Sequence, residues 1–293
     1  EMILLPRFEL NQLLRTIHRR RPTALAAVPT LLTAINSCPD LDRYDLSSLK
    51  LCVSGGAPLP AEVRDEFERL TGCPVLEGYG LSECAPVVCC NPPDGKRKPG
   101  SVGLPFPGTT VEIMTPEPPH RPVPLGEKGE ICVRGPQVMA GYWKRPEATA
   151  EVLIDGRLRT GDVGHMDEDG YLFITDRLKE MIIAGGFKIY PRLVEEAIYA
   201  HPKVAECAVF GVPDPYRGET VKAVVRLLPG ETLTADALLA FLSERLSAIE
   251  LPKIVEFRSE LPKSAIGKIL KTELIAEHLA SQQGAGDARS TSS

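Results

Sequence analysis

Four short segments carry more glycine, hydroxyl, charge and tyrosine than a packed scaffold requires. The first, Ser54-Gly55-Gly56-Ala57-Pro58, follows the apolar run 49–53. Gly-Gly after a strand lets a flat ligand approach the backbone at the carboxyl end of a sheet, where α/β proteins bind ligands. It serves equally well as a plain turn. The second, Glu77-Gly78-Tyr79-Gly80-Leu81-Ser82-Glu83, sets an aromatic ring between glycines and then a hydroxyl beside a carboxylate. Those two oxygen ligands suit a magnesium–phosphate site, although a turn with a surface glutamate has the same composition. The third is Arg159-Thr160-Gly161-Asp162, in which a carboxylate behind a tight turn can accept hydrogen bonds from two neighbouring ribose hydroxyls. Asp176-Arg177-Leu178-Lys179 follows it and reads as a linker with charged ends. The fourth, Leu261-Pro262-Lys263-Ser264-Ala265-Ile266-Gly267-Lys268, places a lysine on a glycine-bearing loop. Such a lysine is solvated unless it swings into a site, where it is a good point charge for a phosphoryl group.

The elements that must position these segments follow from periodicity. Residues 1–95 alternate helix and strand patterns, with short apolar runs at 25–28 and 49–53 of the kind buried in a parallel sheet. Residues 1–6 read as a further strand ending in a turn, as though from the middle of a domain. Between Pro60 and Gly72 the pattern predicts a helix, with Pro60 at its first position, Val63, Phe67 and Leu70 on one face, and Gly72 terminating it. From 96 to 175, glycine and proline punctuate short alternating runs at 110–114, 129–134 and 171–175, which predict a small antiparallel sheet or barrel. Residues 176–179 lie where this unit gives way to a third, 180–280. There a helix is expected over 191–200, strands over 204–210 and 221–227, and an amphipathic helix over 235–246. The small, polar residues 281–293 read as a disordered tail. The fold class is α/β, with an α+β module at the carboxyl end.

Composition narrows the function. The chain has 293 residues, 43% of them hydrophobic, enough for one large domain or two smaller ones. Its net charge of -5 is mixed along the chain and argues against a nucleic-acid partner. The local run His18-Arg19-Arg20-Arg21 ends a helical pattern, where cations offset the macrodipole; a lipid or phosphate contact is the alternative. Eight cysteines show no CxxC pair and no histidine at zinc-ligand spacing, so reduced, buried thiols in a cytoplasmic protein are expected. No stretch is long and apolar enough to span a bilayer, and no signal peptide is legible.

In this order and spacing, the four segments resemble the adenylate-forming superfamily of acyl-CoA synthetases, firefly-type luciferases and peptide-synthetase adenylation domains. The resemblance runs from about Glu1 to His278 and rests on Glu77–Glu83, Gly156–Asp162, Asp176–Pro191 and Leu261–Leu274. Within the superfamily, Glu77–Pro86, Gly135–Met139 with Gly141–Trp143, and Leu261–Leu270 are most similar to bacterial long-chain fatty-acid–CoA ligases. Such enzymes join a carboxylate to ATP, releasing pyrophosphate, and then pass the acyl group to CoA. The fold implied is part of a large N-terminal α/β subdomain (1–95), a β-barrel-like subdomain (96–175), a hinge (176–179) and a mobile C-terminal domain (180–280).

The resemblance assigns roles residue by residue. Gly55, Gly56 and Ala57 would border the adenine and acyl pocket. Tyr79 would lie against the adenine, with Gly80 beside it. Ser82 and Glu83 would serve the phosphates and magnesium; the family's usual threonine is serine at 82, which keeps the hydroxyl. Asp162 would bind the ribose, Arg177 the ribose or phosphate, and Lys179 would be the hinge residue. Lys268 would be the adenylation lysine, and Gly185 and Gly186 would line the CoA tunnel. ATP, magnesium and CoA are implied, with a fatty or other carboxylic acid as substrate and no prosthetic group. A long-chain substrate would bring a cytoplasmic enzyme into transient peripheral contact with membrane. One departure stands out: the family's Ser/Thr/Gly-rich phosphate loop ending in lysine has no counterpart before Ser54. The chain taken alone is therefore expected to be inactive. The competing readings are an acyl-AMP ligase that loads a carrier protein, and a module that binds AMP or CoA without turnover.

Overall fold

Helices α1 (Leu10–Arg20), α2 (Pro29–Asn36) and α3 (Ala61–Thr71) form where apolar residues recur at helical spacing. Their inward faces supply Leu14, Ile17, Leu32, Ile35 and Phe67 to one core. That core lies against strands β1 (Ala24–Ala27), β2 (Leu51–Ser54) and β3 (Val75–Gly80), which are mutually parallel. Strands β4 (Val87–Cys90) and β5 (Leu104–Pro105) extend the same sheet antiparallel, in the order β1-β2-β3-β4-β5. The computed structural model describes the backbone of residues 1–264 and 269–290, and side chains as far as residue 282.

Two differences from the sequence expectation appear at once. Residues 1–9 form no regular element, because no neighbouring strand pairs with them. Pro60 is the cap that precedes α3 rather than its first helical residue, while Gly72 ends the helix in the left-handed region as expected, at φ 68°.

A second sheet orders β10 (Leu172–Arg177), β9 (Arg157–Met166), β7 (Gly129–Arg134) and β6 (Thr110–Met114), with β8 (Leu153–Ile154) also on β9 after the short helix α4 (Pro146–Val152). Its core residues Ile131, Val133, Leu158 and Leu172 pack with Tyr79, Cys84 and Val88 of the first sheet region. Residues 1–175 accordingly form one compact unit rather than two, and 176–293 form the other. The six buried cysteines sit among these apolar side chains and those of the second unit; all eight are free. Burial pushes the Cys52, Cys89 and Cys132 thiols up to about 12 and Cys84 to about 11.

In the second unit, the hairpin β11 (Ile182–Ala184) and β12 (Phe187–Ile189) leads to α5 (Pro191–Tyr199). The long antiparallel pair β13 (Val204–Asp214) and β14 (Gly218–Leu227) follows, then α6 (Ala235–Ser243), β15 (Ile254–Phe257) and α7 (Lys271–Ser290). The sheet order is β12-β11-β14-β13, with β15 parallel to β14. Ile189, Val194, Ile198, Val209, Leu238 and Leu242 form the core. Helix α7 continues to Ser290, where composition alone suggested a disordered tail from Ser281.

Two ionic clusters fix the segment that carries the fourth motif. At its start, Lys263 Nζ lies 2.5 Å from Glu206 Oε1, and Arg226 Nε lies 2.7 Å from Glu206 Oε2. Lys263 also pairs antiparallel with Ile269, and Leu270 N–H donates to the Pro262 carbonyl. Beyond it, Lys271 Nζ contacts Glu180 Oε2 at 2.7 Å and Glu195 Oε1 at 2.9 Å. Burial opposes the Lys271 charge, but Glu195 and Glu180 outweigh it and hold the ammonium above its usual pKa. Lys271→Met should leave two carboxylates without their cation and cost about 2 kcal/mol or more. The double variant Lys271→Met, Glu195→Leu should recover part of that loss in urea unfolding. A single variant as stable as the native chain would show that the cluster contributes nothing.

Candidate active site

In the first unit, three of the four motif segments converge. Tyr79 and Asp162, 83 positions apart, meet directly: the Tyr79 hydroxyl donates to Asp162 Oδ2 at 2.5 Å. Tyr79 is 9% exposed and Asp162 3%. Burial, and then the Asp162 carboxylate beside it, push the phenol well above its usual pKa, so it stays protonated and remains a donor. A Cβ at Gly55 would meet the Gly78 carbonyl oxygen at 3.4 Å, and the Leu59 N–H donates to Glu77 Oε1 at 3.4 Å. The Ser54–Leu59 turn therefore sits beside the Glu77–Gly80 strand, and Asp162 closes the same region.

Asp162 is placed by a braced turn. The buried Glu130 carboxylate accepts from Arg159 Nε and Nη2, at 2.8 and 2.6 Å, and from the Gly161 N–H at 3.2 Å. Thr160 Oγ1 donates to the Ile131 carbonyl and accepts from the Asp162 N–H. Glu130 was not singled out in the sequence. Its place at the second position of an apolar strand, Gly129–Arg134, marked it as a charge that would need a partner if buried.

Glycine at 80 is required by a close crossing. A Cβ there would fall 1.8 Å from the Pro86 carbonyl oxygen and 2.9 Å from the Val87 Cα, where β3 and β4 shift register. Past this crossing, Ser82–Cys84 form a single 3-10 turn, which leaves Ser82 exposed and Glu83 half-buried. Glu83 is held twice by the 139–142 loop: its carbonyl accepts from the Met139 N–H at 2.8 Å, and Oε1 accepts from the Tyr142 hydroxyl at 2.7 Å. The Tyr142 N–H in turn donates to Thr149 Oγ1 of α4. Tyr142 belongs to a segment whose resemblance is noted above, yet its hold on Glu83 had no signal in sequence spacing.

Ser82 and Glu83 fit a magnesium ion that arrives with a nucleotide. Both are hard oxygen ligands, and a site with one carboxylate leaves most of the octahedron to water and phosphate oxygens, as magnesium prefers. Among the described residues, no group of three His, Cys, Asp or Glu side chains is arranged to hold a metal by itself.

The remaining site residues belong to the second unit. Asp176, at the end of β10, is 5% exposed and accepts from the Arg177 and Arg192 N–H groups at 2.6 and 3.0 Å. It is thus a buried anchor for its own turn and for the start of α5, not the solvated linker residue expected. Burial pushes its carboxyl up to about 6 despite those two hydrogen bonds. The Arg177 carbonyl accepts from the N–H groups of Glu180 and Met181, which folds 177–180 into a tight turn with Arg177 and Lys179 exposed. Gly185 and Gly186, at φ 59° and 84°, form the two-residue turn between β11 and β12, a conformation few other residues adopt. Lys268 lies outside the described residues, between the pinned flanks at Ser264 and Ile269.

Comparison with known proteins adds a separate line of support. A family model described as AMP-binding enzyme matches residues 1–143, and one described as AMP-binding enzyme C-terminal domain matches 193–268. A long-chain-fatty-acid–CoA ligase of Bacillus subtilis is 52% identical over 277 residues, covering 94% of this chain and 49% of that protein. A feruloyl-CoA synthase of an Amycolatopsis species is 46% identical, over 93% of this chain and 55% of that protein. Among solved structures, ATP-bound MatB from Rhodopseudomonas palustris aligns with a TM-score of 0.87 at 38% identity, over 94% of this chain and 55% of that one. The chain spans about half the length of the curated relatives it matches.

Two measurements test this geometry. Gly80→Ala should cost about 2 kcal/mol or more of stability, because backbone rather than a flexible side chain stands in the way; thermal unfolding unchanged by the substitution would contradict the crossing. For Asp176, a folded pKa near 6 against about 3.9 unfolded means that the stabilisation is full below pH 4 and is lost as pH rises through 6. Relative to the native chain, Asp176→Asn should therefore gain on the order of 2 kcal/mol between pH 4 and pH 7. A difference independent of pH would show that Asp176 titrates normally.

Proposed function

The chain belongs to the AMP-binding enzyme family, and from that premise we propose that it supplies the adenosine site and C-terminal domain of an AMP-forming acyl-CoA ligase. The observation that carries this reading is the buried Tyr79–Asp162 hydrogen bond. It fixes one oxygen of Asp162 and brings two separate motifs together, which supports a role for this carboxylate in accepting from a vicinal diol. In the first half-reaction a substrate carboxylate oxygen attacks the α-phosphorus of ATP, and pyrophosphate leaves. In the second, the CoA thiol attacks the acyl carbonyl, and AMP leaves.

This chain's residues divide the work. Asp162 accepts from the ribose hydroxyls, with Arg177 contributing a cation to the ribose or phosphate. Gly55, Gly56 and Ala57 let the adenine lie close to the backbone, with the Tyr79 ring as its second wall and Gly80 keeping that strand in place. Ser82 and Glu83 would hold magnesium, which offsets phosphate charge, and Tyr142 keeps the Glu83 carboxylate oriented. Lys268 would offset charge that builds on the α-phosphate and the attacking carboxylate. Lys179 is the hinge candidate, and Gly185 and Gly186 line the thiol's path.

A fatty acid is the substrate class supported by similarity to the long-chain-fatty-acid–CoA ligases, at 52% identity for that of Bacillus subtilis. The feruloyl-CoA synthase at 46% identity is the specific observation that favours a second reading, an aromatic acid. Transient attachment at a membrane surface follows only from the first. No helix among the described residues is long and apolar enough to cross a membrane.

Titration of the chain with AMP should give saturable binding that Asp162→Asn weakens about tenfold, the loss expected for a charged hydrogen-bond acceptor; equal affinities would remove Asp162 from the ribose site. Without the glycine- and hydroxyl-rich phosphate loop, the chain alone should release no pyrophosphate from ATP, magnesium and dodecanoate. In a polypeptide that continues into the amino-terminal half, Lys268→Ala should slow adenylation by about two to three orders of magnitude. Thioester formation from supplied acyl-AMP should survive, and equal loss of both steps would argue for misfolding. Dodecanoate against ferulate in the same assay decides the acid, and CoA against a holo-carrier protein decides the acceptor.

A further inference from the structure

The sheet of the second unit is covered on both faces, and the two coverings differ in kind. On one face, Val209, Val221, Ala223 and Val225 pack with Val194 and Ile198 of α5 and with Leu238 and Leu242 of α6. On the other, Ala208, Phe210, Val212 and Val224 pack with Leu274 and Ile275 of α7. Strand alternation puts Lys222 on this second face, between Thr220 and Val224. Lys222 is only 5% exposed there, so its charge must be met by partners that the neighbouring strand and the covering helix supply.

Two partners meet it. Glu256 of β15 lies 2.7 Å from Lys222 Nζ. His278 of α7, one turn beyond Leu274, brings Nδ1 to 3.1 Å from the same nitrogen. An ammonium has three donors and no acceptor, so Nδ1 accepts and the ring proton sits on Nε2. Nε2 in turn faces the Gln282 side-chain amide at 3.2 Å, which has an oxygen to receive that proton. The contact therefore suits the neutral imidazole alone. The other charges nearby are already engaged. Arg258 of β15 pairs with Glu277 of α7 and also with Glu256, so Glu256 is shared between two cations and has little left to offset a third. Glu206 of β13 is taken by Arg226 and Lys263, and the remaining β13 residues on this face, Ala208, Phe210 and Val212, carry no charge.

We propose that His278 and Lys222 form a proton-operated latch on α7. With His278 neutral, the helix is fastened to the sheet of the second unit. Uptake of one proton from solvent at Nδ1 sets an imidazolium against the Lys222 ammonium, breaks the contact and releases the helix from Ile275 onward. The first turn of α7 has a fastening of its own, the pairing of Lys271 with Glu180 and Glu195, so release runs from the far end toward Leu274. Burial, and then the Lys222 charge, hold the imidazole below its usual pKa against the opposing pull of Glu256. In an unfolded chain histidine titrates near about 6.5. A folded pKa below that value means that the latch contributes fully above about pH 6.5 and that its contribution is lost as pH falls through the folded value. The latch belongs to the second unit alone and stands apart from the ligase reading.

The test uses the 293-residue chain at about pH 7.5 and about pH 5.5. Nuclear magnetic resonance of the imidazoles should show His278 titrating below about 6.5. Hydrogen-exchange protection of the 275–282 amides, corrected for the intrinsic pH dependence of exchange, should fall about tenfold at the lower pH. That is the penalty for two unit charges at this separation even at the dielectric of water. Protection at 221–225, within β14, should stay unchanged. His278→Gln keeps a hydrogen-bonding side chain that cannot take the proton, and should hold the same α7 protection at both pH values. Lys222→Met should also remove the fall and return the imidazole to about 6.5 or above, beside the Glu256 carboxylate. Circular dichroism checks that each variant is folded; where one is not, the two measurements on the native chain decide. Three results would overturn the latch: His278 titrating at or above about 6.5 in the native chain, equal α7 protection at both pH values, or a fall that persists in His278→Gln.

Discussion

A buried hydrogen bond between a phenol and a carboxylate organises the first unit. Tyr79 comes from the last residues of a parallel-sheet strand, and Asp162 from a strand of the second sheet. A carboxylate so enclosed is costly unless it is fully partnered, and most of the surrounding structure supplies those partners or fixes them. Glu130 and Arg159 hold the turn that aims Asp162, while the glycine crossing at 80 sets the strand that aims Tyr79. The two sheets share an apolar core beside this hydrogen bond, and residues 1–175 form one compact unit.

The elements were legible where a local rule decided them. Helix α3 with its terminating glycine and the short apolar strands announce themselves through periodicity and turn chemistry. Failures came where partners at long range decided the outcome. Residues 1–6 have strand composition but no strand to pair with. Asp176 has the look of a linker residue, yet it is buried and accepts from the N–H of its neighbour Arg177 and from that of Arg192, 16 positions on.

The site follows the same division. Gly55, Tyr79, Glu83 and Asp162 could be picked out by type and order, and three of the segments that carry them do converge. Their supports could not be picked out. Glu130 and Tyr142 act through contacts 29 and 59 positions away, and no spacing rule reaches that far. In the second unit, Lys271 looked like an ordinary residue after a conspicuous lysine. Its two glutamates, from the 177–180 turn and from α5, make it the point where three elements are tied.

The burial of the cysteines governs how the chain meets thiols and disulfides in solution. Exchange with a disulfide requires a thiolate that can reach its target. The apolar surroundings of Cys52, Cys84, Cys89 and Cys132 keep these sulfurs protonated at neutral pH and out of solvent. A disulfide in solution would therefore meet no accessible thiolate at these four positions.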